Sequence, residues 1–171
     1  MLGDLTEKIQ SSQNRLEELM DKIPGIGGYR RKEQRREADK LLRMHIAREL
    51  EGYLKRLGEV QYTLATRGRL DVNLALERAT TRLQLLIDRL KTASYGYAGL
   101  FDAVKVDEEV LDRLYDFDER MLDAAAELEA SIAQLEQTAE GEDLMTQANG
   151  LIRHLEALNS TFSRRQDVII E

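Results

Sequence analysis

The sequence predicts an all-α protein, an elongated antiparallel helical bundle of four to five helices with coiled-coil-like packing. Three observations predict it. The composition is 33% charged and 42% hydrophobic, with one proline in 171 residues and no tryptophan, a balance typical of long amphipathic helices rather than short strands. Apolar residues recur in alternating steps of three and four, the period that lines one face of a helix. Turn-forming residues gather at a few points, chiefly 24–28 and Gly68, and leave long stretches between them unbroken. A single domain over 1–171 is expected, large enough to bury a core without disulfides.

The first helix is read over about 3–23, where Leu2, Leu5, Ile9, Ser12, Leu16, Leu19 and Ile23 form an a/d seam with one polar interruption. Pro24 ends it, because proline lacks the amide donor and clashes with the preceding turn. The segment PGIGG over 24–28 then reverses the chain. A second helix is read over 29–67, about 55–60 Å at 1.5 Å per residue. Its stripe is Ala38, Leu42, Ile46, Leu50, Tyr53, Leu57, Val60 and Leu64, and Gly68 is expected to close it in the left-handed conformation.

The third helix is read over 71–93, with Asp71 capping the free amides of the first turn. Val72, Leu76, Ala79, Leu83, Leu86, Leu90 and Ala93 form the cleanest heptad in the chain. In the fourth, over 107–140, Asp107 caps, Glu108 and Glu109 complement the helix dipole, and Val106 and Leu111 have staple spacing. Its seam is Val110, Leu114, Phe117, Met121, Ala124, Leu128, Ile132 and Leu135. A fifth, over 142–160, offers Leu144 or Met145, then Ala148, Leu151, Ile152, Leu155 and Leu158. Gly141 is either the turn between these two helices or a kink in one, which would cost only ~1 kcal/mol relative to alanine. Short turns make sequence neighbours antiparallel. Residues 94–106 form a longer loop, expected to be ordered.

Charge is segregated along the chain. Residues 30–69 carry 12 Lys+Arg against 6 Asp+Glu, whereas residues 107–143 carry 2 against 14, within a net charge of −7. Such helices attract one another. A nucleic-acid partner is disfavoured, because the acidic stretch repels the phosphates that the basic stretch attracts. The opening MLGDLTEKIQ has no apolar signal-peptide core, and the uncharged run TASYGYAGLF is ten residues, too short to span a bilayer. A cytoplasmic protein is expected, with attachment to the inner face of the membrane as the alternative location.

Little here supports catalysis, and no enzyme, cofactor, metal or small-molecule substrate is expected. The chain has no cysteine and two histidines, and neither His45 nor His154 belongs to an ExxH or HExxH spacing. Asp112, Asp116, Glu119 and Asp123 align on one face of the fourth helix, about 200° from its seam, and are read as a solvated stripe rather than a cation site. GIGGYR precedes a basic helical turn, but follows a helix and lacks the GK[ST] ending of a phosphate loop.

Two segments are candidates for binding. Ile26 and Tyr29, flanked by Arg30, Arg31, Lys32, Arg35 and Arg36, either cover the bundle's end or form a basic-rimmed apolar tip suited to an anion or an anionic membrane surface. Tyr95, Tyr97 and Phe101 either pack as a cap, with Gly96 and Gly99 allowing tight turns, or present aromatic docking area. The tail Val168, Ile169 and Ile170 is a loose terminus or a short interaction segment. The function expected is a non-enzymatic scaffold or adaptor acting through a protein partner or self-association. Anionic-lipid binding through residues 30–36 is the alternative.

The segments IPGIGGYRRKEQRREADK (23–40) and TASYGYAGLFDAVKVDEEVLDRLYDFD (92–118) resemble those of a group of small, uncharacterised bacterial helical-bundle proteins. The resemblance covers about a quarter of the chain and carries no activity over. In architecture alone, the basic first half and acidic second half are similar to phage shock protein A and ESCRT-III-like membrane-remodelling proteins. Those proteins open on an amphipathic membrane helix. Here the first helix mixes Asp4, Glu7, Glu17, Glu18 and Asp21 with Lys8, Arg15 and Lys22, a departure that weighs against lipid binding by that route.

Overall fold

The computed structural model describes residues 32–93, 108–138 and 143–170, with Asn14 and Glu18, and gives side-chain surroundings at those two positions and over 40–93, 116–138 and 143–164. The regular structure of the described residues is entirely helical: α1 (Lys32–Thr66), α2 (Leu70–Thr92), α3 (Glu108–Gln137) and α4 (Leu144–Ile170). The helix read over 3–23 lies outside the described residues apart from Asn14 and Glu18. Both are helical and exposed, and neither is a seam position. Asp107, Val106, residues 94–106 and Gly141 also lie outside.

Each helix forms because its apolar period matches the helical turn. On α1, Leu42, Ile46, Leu50, Tyr53, Leu57, Val60 and Leu64 are all buried, and on α2 so are Val72, Leu76, Ala79, Leu83, Leu86 and Leu90. α2 buries Ala75 and Ile87 as well, a wider face than the heptad alone, because it packs between α1 and α4. α1 ends as expected at Gly68, which adopts φ 73. The Gly68 amide donates to the Ala65 carbonyl at 3.1 Å and the Arg69 amide to the Leu64 carbonyl at 2.9 Å. These are the paired bonds of a Schellman ending.

Three expectations are corrected. Asp71 is not the cap of α2. The cap is Arg69, with no side-chain bond to the first turn, and Asp71 sits inside that turn, 3.8 Å from the Arg69 guanidinium; there its charge still favours the positive end of the dipole. On α3 the deeper alanine is Ala125, buried at 2% exposure, while Ala124 is only partly covered. Three successive alanines offer no size contrast to mark the seam. α4 does not stop at Ser160 but runs on to Ile170. Phe162, four residues beyond Leu158, is buried and extends the stripe. The boundary near Gly141 separates two helices, since α3 and α4 pack side by side.

The packing pairs are α1 with α2, α2 with α4, α4 with α3 and α3 with α1, closing a four-membered ring. Sequence neighbours are antiparallel, but two of the ring contacts are parallel. Arg82 pairs with Glu156 and Arg89 reaches Ser163, so α2 and α4 run together. α3 and α4 run antiparallel, with Glu127 beside His154 and Thr138 beside Gln147. α1 likewise runs antiparallel to α2, so the basic α1 and the acidic α3, joined by Arg56 to Glu129 and Glu136, point in the same direction. α2 and α3 therefore stand diagonally across the ring. One end of the bundle holds the starts of α1 and α3 and the ends of α2 and α4.

Candidate functional site

The seam between α1 and α3 concentrates the charge chemistry. Arg56 donates through Nε and Nη2 to the two oxygens of Glu136, both at 2.8 Å, and through Nη1 to Glu129 at 3.4 Å. Its guanidinium carbon lies 5.9 Å from the centre of the Tyr53 ring, within cation–π range. The Arg56 hydrogen bond holds the Glu136 carboxyl below its usual value of 4.5, and that bond in turn raises the Arg56 value. Burial, and then the negative charges of Glu129 and Glu49, push the Tyr53 hydroxyl up to about 12. A fork-to-fork arginine pair of this kind fixes the register of two helices. It joins α1 to α3.

The sign of its pH dependence follows. A carboxyl whose folded value lies below its unfolded value stabilises the fold above about 4.5 and loses that contribution as the pH falls through the folded value. Glu136 is 35% exposed and Arg56 29%, so solvent screening keeps the effect within the ~1 kcal/mol range of exposed pairs. Urea midpoints measured from pH 7 to pH 3 are expected to fall more steeply in the wild type than in Glu136→Gln. Parallel curves would remove the pair from the acid response.

A second polar cluster ties α2 to α4. Arg89 donates to the Asn159 carbonyl at 3.0 Å and to Ser163 Oγ at 2.8 Å, and it sits 5.0 Å over the Phe162 ring. Asn159 Nδ2 donates back to the Arg82 carbonyl at 3.0 Å. The histidines belong to separate pairs: His45 lies 3.3 Å from Glu49 on its own helix, and His154 lies 3.6 Å from Glu127 on α3. Among the described residues, no three His, Asp or Glu side chains converge as metal ligands. Of the acidic stripe, Asp123 is exposed, Asp116 and Glu119 are half-buried, and the side chain of Asp112 lies outside the described positions.

Of the residues singled out for binding, Ile26, Tyr29, Arg30, Arg31, Tyr95, Tyr97 and Phe101 lie outside the described residues. Lys32, Arg35 and Arg36 fall in the first two turns of α1, at the end of the bundle where α2 and α4 finish. Val168, Ile169 and Ile170 are the last three residues of α4, which ends there too. Among the described residues, no helix is long and apolar enough to cross a membrane.

A search for seams passes over the outer face of α2. Leu70, Leu74 and Leu85 are 63%, 64% and 52% exposed. Leu85 follows Leu74 by eleven residues, which brings a helix round to within about 20° of the same direction, and Leu70 lies one turn before Leu74. Measured round the helix, the line they form points away from the buried stripe centred on Leu76 and Leu83. Tyr62, 74% exposed on α1, stands near the same end of the α1–α2 hairpin as Leu70. The signal is present in the sequence as leucines at one angle that no heptad uses. No family model, curated protein or solved structure matches this chain.

Proposed function

We propose that this protein is a non-enzymatic helical scaffold or adaptor that works through protein–protein contact on the outer face of α2. The observation that carries the reading is the leucine line Leu70, Leu74 and Leu85, left facing water after the core is filled. Isolated exposed leucines are ordinary on a folded surface; three on one helical line, interrupted by Arg78 and Thr81 between the last two, make a discontinuous apolar strip along which a partner can lie. The charged clusters support the same reading, since Arg56–Glu136 and Arg89–Ser163 fasten helices to each other and rigidify the surface that α2 presents.

A photo-crosslinking residue placed at Leu74 or Leu85 in the native host is expected to trap protein adducts. The same group at Glu127, 75% exposed on α3, is expected to trap few. Equal trapping at all three positions, or none at Leu74 and Leu85, would remove the α2 face as the working surface.

A further inference from the structure

We draw no further inference here: the strongest candidate, the apolar line of Leu70, Leu74 and Leu85 on the outer face of α2, belongs to the surface already described, and nothing in the structure shows what covers it.

Discussion

Leu83→Ala is expected to lower the stability of the fold by about 2–5 kcal/mol, while Leu85→Ala, two residues along the same helix, changes it by no more than about 0.5 kcal/mol. Leu83 is wholly buried and Leu85 is 52% exposed. Truncating Leu83 loses transfer energy and leaves a void where α2 packs between α1 and α4; truncating Leu85 leaves only water. Against a total stability of about 5–15 kcal/mol, the first loss takes a large share of the fold. Urea unfolding of the two variants reads the difference directly. Equal losses would mean that Leu85 is covered within a single chain.

Arg43→Ala is expected to cost about 1.5–3 kcal/mol, the worth of a hydrogen bond made by a charged group. Arg43 is only 4% exposed, and its Nη1 donates to the Leu90 carbonyl at 3.0 Å, tying the last turn of α2 to α1. Amide exchange over 89–92 is expected to rise together with the global loss. Arg48→Ala, at an exposed position on the same helix, serves as the comparison. If both variants unfold at the same urea midpoint, the buried arginine contributes nothing beyond a surface one.

Periodicity reads the inward faces well because burial follows one rule, that apolar side chains at helical spacing leave water together. Leu42 through Leu64 and Val72 through Leu90 obey it. Gly68 is equally legible, since its positive φ demands a residue without a Cβ. Asp71 misleads because a cap depends on where the chain turns, and the ending at Gly68–Arg69 starts α2 one residue early. Ser160 misleads because a Ser-Thr pair looks like a helix end, although no glycine or proline follows and Phe162 continues the stripe of α4.

The ring order is not legible. Amphipathic stripes say which face is buried and not which helix lies opposite. The candidate site divides the same way. Leucines on the outer face of α2 break the heptad and so drop out of a search for seams, and Arg43 and Asp118, buried at 4% and 6% exposure, carry no pattern that separates them from surface charges. Arg56 stands out in the sequence only as one of many basic residues opposite an acidic helix, because its fork onto Glu136 depends on the parallel seating of α1 and α3.

That ring order also dictates a waiting time during synthesis. α2 is covered on one side by α1, which precedes it on the ribosome, and on the other by α4, whose contacting Ser163 lies 74 residues downstream of Arg89. At about 5–20 residues per second, the inward leucines of α2 remain half-wrapped for several seconds, with the whole of α3 emerging before their cover arrives. The nascent hairpin of α1 and α2 is thus the species on which a chaperone has time to act.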